Sequence, residues 1–189
     1  MNPGGQDLTI RTLTAIAGLA GAGRAGEAMQ LLLSGRDGVL RHPAGQNMLG
    51  AFLMQAGRLP DALVAFDAAI QLAPQFADAH SNRGVVLQRM GRLEGALAAY
   101  DAALKTHPLH VTALFNRGNV LKLLGRRDEA VKAFDTVLAV EPRFTEAQLN
   151  RGRVNLERDA TEAALADFDA VLNSSPTNSD ARSGRVAAL

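Results

Sequence analysis

The chain has no cysteine and no tryptophan, and only seven phenylalanines and one tyrosine among 189 residues. Without cysteine there can be no disulfides and no thiolate metal sites, and the redox compartment is left open. A net charge of one sign is also missing: 20 basic residues face 19 acidic ones, for a formal charge of +1. That balance argues against nucleic acid as the main partner, because phosphate binding needs a concentrated basic excess. Lysine is scarce, at Lys105, Lys122 and Lys132, while the other 17 basic residues are arginine. With abundant Ala and Gly, this bias is the kind found in GC-rich bacteria, so a bacterial source is expected. No apolar run approaches the roughly 20 residues that cross a bilayer, and no membrane partner is expected. The stretch Thr12 to Ala22 imitates a signal-peptide core. Yet Asp7 precedes it, no Lys or Arg comes before Arg11, and the stretch fits the repeat described below. A cytoplasmic location is therefore expected.

Catalytic patterns are equally thin. No serine sits in a GxSxG elbow. The four histidines are His42, His80, His107 and His110. His107 and His110 flank Pro108 without a third ligand, which makes a weak metal case and favours ordinary loop histidines. The "GAGRAG" of Gly21 to Gly26 has the spacing of a dinucleotide loop, but a helical stretch precedes it where a strand would be needed. Neither enzyme, cofactor nor metal is expected.

What the chain does contain is a period. Pro74, Pro108, Pro142 and Pro176 fall 34 residues apart. Gly23-Arg24, Gly57-Arg58, Gly91-Arg92 and Gly125-Arg126 repeat at the same interval. So do Ala28, Ala62, Ala96, Ala130 and Ala164, then Phe66, Tyr100, Phe134 and Phe168, and finally Gly50, Gly84, Gly118 and Gly152. Fixed self-similarity of this length marks a repeat architecture. Each marker has a physical task. The apolar spacing from Gly84 to Met90 and from Ala96 to Leu104 has helical period. The Gly-Arg pair between them is a turn, because Gly tolerates the left-handed conformation that ends a helix. Gly84 and Ala96 are small enough for two helices to approach closely. Tyr100 and its equivalents fill the space between repeats, and Pro108 stops the second helix.

The run "NRGNVLKLLGRRDEAVKAFDTVLAVEP" from Asn116 to Pro142 carries all of these markers. The pattern resembles the tetratricopeptide repeat. The resemblance implies an all-α fold: an α-solenoid of stacked antiparallel helix pairs in a right-handed superhelix. The expected frames are a tail at 1–8, a degenerate first repeat at 9–42, full repeats at 43–76, 77–110, 111–144 and 145–178, and a partial repeat or truncated capping helix at 179–189. In frame 145–178, Asp159 replaces the turn glycine. Frame 9–42 has lost the aromatic and the proline, and because Pro43 lies three residues late its second helix is expected to run about one turn longer. The family often has an aromatic early in the first helix. Here Gln46, His80, Leu114 and Gln148 hold those places, so thinner inter-repeat packing is expected.

Two polar series keep the same phase. Asp67, Asp101, Asp135 and Asp169 follow the aromatic position, and Arg83, Arg117, Arg151 and Arg185 occupy one first-helix position. Pairing each Asp with the Arg of the next repeat fills every frame: Asp67–Arg83, Asp101–Arg117, Asp135–Arg151 and Asp169–Arg185. Pairing within one repeat would set Asp67 against Leu49 and leave Arg185 alone. The alternative is that both series are solvated surface charge.

The second series is Asn82, Asn116 and Asn150. In the family, first helices line the concave surface, and an Asn there resembles the asparagine ladder of the O-linked N-acetylglucosamine transferase solenoid, which holds a peptide backbone. An amide suits that task because it offers both donors and an acceptor. Helix packing or plain repeat consensus is the alternative. Expected neighbours in the groove are Asn119, Lys122, Arg153, Arg89, Ser81 and Phe115. The places where chaperone adaptors of the family carry a carboxylate-gripping set hold Ser81, Val85, Thr112 and Asn116, so chaperone-tail binding is not expected. The resemblance thus implies a scaffold that binds a protein or peptide in its concave groove. The alternative is the N-terminal, substrate-recruiting solenoid of a larger enzyme such as a bacterial glycosyltransferase. The incompletely covered ends are expected to favour homo-oligomers.

Overall fold

Short turns separate apolar segments of helical period along the whole chain, and each segment forms a helix. The computed structural model describes residues 3–34 and 38–189, with residues 3–7 as backbone only. Among the described residues there are eleven α-helices and no strand. Clustering of contacts divides the chain into two compact units, Met1–Arg92 and Leu93–Leu189.

The first unit holds α1 (Pro3–Gly21), α2 (Ala25–Leu33), a 3₁₀ turn at Val39–Arg41, α3 (Pro43–Gln55), α4 (Leu59–Leu72) and α5 (Ala77–Arg89). Successive helices pack on one another, and α3 also touches α5. Ile16, Ala28, Leu32 and Val39 are buried around the first pair, and Ala62, Ala65, Phe66 and Val86 around the second. Two expectations change here. Of the stretch 1–8 assigned to a tail, residues 1 and 2 lie outside the described residues, but helix begins at Pro3. Proline is favoured at a helix start, where its missing N–H would have no partner in any case. The second helix of the first frame does not run longer. α2 stops at Leu33, residues 35–37 lie outside the described residues, and the 3₁₀ turn follows. Pro43 is not a late helix terminator but the opening residue of α3, with the His42 ring accepting a bond from the Ala44 N–H at 3.2 Å.

The second unit holds α6 (Leu93–Thr106), α7 (Val111–Leu123), α8 (Arg127–Val140), α9 (Thr145–Leu156), α10 (Thr161–Ser174) and α11 (Ser179–Ala187). Each helix packs on the next, and the first helices α7, α9 and α11 also touch in sequence. Tyr100, Phe134 and Phe168 are fully buried, as are Ala96, Ala130 and Ala164. The small residues are needed at the contacts. A Cβ on Gly118 would lie 2.6 Å from the Phe134 ring, and one on Gly184 would lie 2.5 Å from the Phe168 ring. The turn glycines hold φ between +72° and +75°, as at Gly57 and Gly125. Asp159 is forced into the same region at φ +56°. On α11, Ala181 is buried, whereas Val186 and Leu189 near the chain end are exposed.

Three of the four early first-helix positions form a hydrogen-bond series, which Arg182 continues on α11, while Leu114 at the fourth is buried. Gln46 donates to the Leu40 carbonyl at 2.6 Å, and Gln148 to that of Pro142 at 3.0 Å. His80 Nε2 meets the Pro74 carbonyl at 2.8 Å, and Arg182 donates to that of Pro176 at 2.9 Å. Each bond reaches back six residues and closes the loop that enters the first helix. In three of the four the acceptor is the carbonyl of the proline that follows the second helix, Pro74, Pro142 or Pro176, which a polar side chain can reach with a hydrogen bond and an aromatic ring cannot.

Candidate functional site

The polar face of the first helices begins with spacing. Asn116, Asn119 and Lys122 lie three residues apart on α7, and Asn150 and Arg153 do so on α9, which puts each set along one side of its helix. The two rows meet. Asn150 Nδ2 donates to Asn119 Oδ1 at 2.9 Å, and Lys122 Nζ donates to Asn150 Oδ1 at 3.3 Å. Arg153 Nη1 reaches the same Asn150 oxygen at 3.5 Å, and its Nη2 pairs with Asp180 on α11 at 2.9 Å. Lys122 is half-buried, and its pKa is held below the ordinary lysine value, first by desolvation and then by the Arg153 charge, with Glu157 opposing. Asn116 is half-buried and has no hydrogen-bond partner among the described residues.

The remaining groove residues fall differently. In the first unit, Asn82 Nδ2 donates to Asn47 Oδ1 at 3.0 Å, so it bridges α5 and α3 as Asn150 bridges α9 and α7. Arg89 is exposed and makes one long contact to the Met54 carbonyl at 3.4 Å. Ser81 is buried at 2% exposure, and its hydroxyl is withheld from any open surface. Phe115 packs with its ring centroid 4.9 Å from Phe144 and 6.0 Å from Phe134, so it serves the helix interface. Both sit at the frame position next to the asparagines, rotated by one residue toward the core.

The charge series forms ion pairs between helices of successive frames. Arg83 Nε–Asp67, Arg117 Nε–Asp101 and Arg151 Nη1–Asp135 are each 2.6 Å long, and Arg185 Nε–Asp169 is 2.8 Å. The aspartates are about half exposed, which limits each pair to roughly 0–1 kcal/mol.

Sequence reasoning missed a second polar cluster in the same unit. Arg151 also grips Asp167, through Nη2 at 2.5 Å and Nε at 3.1 Å. This hydrogen bond is the main cause of the raised Arg151 pKa. Asn155 Nδ2 lies 3.5 Å from the same carboxylate, Arg158 Nη1 donates to Asn155 Oδ1 at 3.2 Å, and Arg158 Nη2 pairs with Asp128. Asp167 and Asn155 are buried, beside a cleft of about 420 Å³ walled by Val131, Ala163 and Ala166. The signal was available in the frames. Asp167 stands where Ala65, Ala99 and Ala133 stand, and Asn155 where Leu53, Leu87 and Leu121 stand.

Among the described residues, no cluster of three or more His, Cys, Asp or Glu could hold a metal ion, and no helix is long and apolar enough to cross a membrane. His42 and His110 accept bonds from backbone N–H groups at the starts of α3 and α7.

Stacked helix pairs of one repeated design, closed by left-handed turns and, in every frame after the first, sealed by one buried aromatic, define an all-α solenoid repeat protein. The chain belongs to the tetratricopeptide repeat family: family models described as TPR repeat match residues 50–91, and models described as tetratricopeptide repeat match 75–141 and 124–179. Solved structures agree on the fold. YrrB, described as a TPR protein with an unusual peptide-binding site, aligns at TM-score 0.76 and 19% identity over 94% of this chain and 92% of its own. TTC0263, a thermophilic TPR protein of Thermus thermophilus, aligns at 0.69 and 24% identity over 95% and 98%. Residues 41 to the end of MamA from Desulfovibrio magneticus RS-1 align at 0.76 and 19% identity over 90% and 97%. A comparison with curated proteins gave no match. The fold is a repeat scaffold of the kind typical of protein–protein interaction.

Proposed function

We propose that this protein is a scaffold that binds a peptide or protein segment along the first-helix face, with the contacts concentrated on α7 and α9. The observation that carries the reading is the hydrogen-bonded convergence of Asn119, Lys122, Asn150 and the exposed Arg153, with half-buried Asn116 one turn back along the same side of α7. Asn116 supplies a side-chain amide with no partner among the described residues, and an extended peptide offers the backbone groups that such an amide needs. Asn119 and Asn150 hold the two helices at the spacing that forms the face. The peptide-binding site named for YrrB supports the same use of the fold. A displayed library of random octapeptides, selected on the whole chain, tests it. Selection should enrich a motif, and a triple Asn116→Ala/Asn119→Ala/Asn150→Ala variant that melts like the native chain should bind the enriched peptides at least about tenfold more weakly. No enrichment, or enrichment indifferent to the triple variant, would sink the reading.

A further inference from the structure

We infer that the peptide taken by the α7–α9 face is acidic, with a carboxylate side chain seated between Lys122 and Arg153. This rests on the groove reading above and adds the chemistry of the ligand. The cations are not repeat consensus. At the frame position of Lys122 the earlier repeats carry Met54 and Gln88, and at that of Arg153 they carry Ala51, Val85 and Asn119. A residue recurring in every frame is explained by packing, but these two are particular to adjacent frames of one unit.

Their geometry leaves Lys122 with no ion-paired carboxylate among the described residues. Lys122 Nζ and Arg153 Nη1 both turn to Asn150 Oδ1, at 3.3 and 3.5 Å. One neutral amide oxygen thus carries two cations. The two repel one another, and the depressed Lys122 pKa, caused by burial and by Arg153, agrees. A carboxylate has two oxygens and would give each cation its own acceptor, in charge-assisted bonds about twice as strong as neutral ones. The local acids do not fill that role. Glu157 is engaged by Arg127 at 2.8 Å, and Asp180 meets only the far Nη2 of Arg153. Asp180 is 60% exposed, so a ligand carboxylate can replace it at small cost. The other cations of α7, α9 and α11 are spoken for. Arg117 is held by Asp101, Arg151 by Asp135 and Asp167, Arg185 by Asp169, and Arg182 by the Pro176 carbonyl.

The reach fits a short segment. Asn116 and Lys122 are six residues apart, roughly 9 Å along a helix at 1.5 Å per residue, which an extended peptide covers in about three residues at 3.3 Å each. The amide of Asn116 would hold the peptide backbone while the carboxylate two or three residues away reaches the cations.

The experiment is fluorescence anisotropy with the whole chain and two labelled octapeptides, alternating Gly-Glu and Gly-Gln, at low and at 0.5 M salt. The Glu peptide should bind at least about tenfold more tightly at low salt, and the preference should shrink on adding salt. Lys122→Ala and Arg153→Ala should each reduce that preference by fivefold or more. Arg126→Ala, an exposed turn arginine paired with Glu129, should leave it unchanged. Equal binding of both peptides, or a Glu preference that survives both Lys122→Ala and Arg153→Ala, overturns the inference. If the octapeptide library enriches ligands that carry no acidic residue, this inference fails and the groove reading stands. If the library enriches nothing, both fail.

Discussion

Restoring the repeat consensus at the buried polar pair of α9 and α10 should reveal strong coupling. Asp167 accepts three bonds from Arg151, two of them from the shared Nε, and one long bond from Asn155, and both Asp167 and Asn155 are almost fully buried. Replacing Asp167 alone by Ala leaves the Asn155 amide group buried with no acceptor. Arg151 is less affected, because it is part-exposed and keeps Asp135. A stranded buried donor costs about 1–3 kcal/mol, and that is the expected loss for Asp167→Ala. Asn155→Leu alone removes the 3.5 Å bond and adds apolar contact, and should stay within about 1 kcal/mol of the native chain. The double variant Asn155→Leu/Asp167→Ala recreates the pair present as Leu121 and Ala133 in the preceding frame. Replacing buried ionic groups by well-packed apolar ones is often neutral or stabilising, so the double variant should match or exceed native stability. The cycle therefore predicts a coupling energy of about 1–3 kcal/mol, with the second substitution rescuing the first. Urea melts followed by circular dichroism measure it, with hydrogen exchange on α9 and α10 as a local check because solenoids need not melt in one step. Additive effects, or a double variant less stable than Asp167→Ala, would refute the account of the cluster.

Asp159→Gly should stabilise by about 0.5–1 kcal/mol in a denaturant melt, since a non-glycine residue at φ +56° carries backbone strain. Phe134→Ala should lose about 3–5 kcal/mol, because the ring is fully buried between helices, and a loss under about 1 kcal/mol in the same assay would contradict that burial. Gly118→Ala should cost about 1–3 kcal/mol, since its Cβ would fall 2.6 Å from a Phe134 ring with nowhere to move. Asp101→Ala should cost less than about 1 kcal/mol in a thermal melt, because Asp101 is 52% exposed and Arg117 can turn to water once its partner is gone.

The 34-residue period, the helix pairs, the turns and the buried aromatics could all be read from the chain, because each depends on chemistry local to one frame. Gly57 and Gly125 announce left-handed turns, and the helical spacing around Phe134 announces its buried face. The phase of Asp101 and Arg117 even indicates a contact across repeats, since a periodic structure turns a sequence offset into a spatial one. The packing of helix on helix decided the rest. One residue along a helix turns a side chain by about 100°, and that rotation buries Ser81 while its neighbour Asn82 reaches Asn47. The same rotation puts Phe115 against Phe144 and leaves the adjacent Asn116 side chain half-buried beside it. Asn155 and Asp167 depart from the consensus in sequence, but only the approach of α9 to α8 and α10 sets Asp167 against Asn155 and Arg151 and gives the arginine two carboxylates. Whether a polar residue faces water or closes a buried network depends on which helix lies opposite, and that distance exists only in the folded chain.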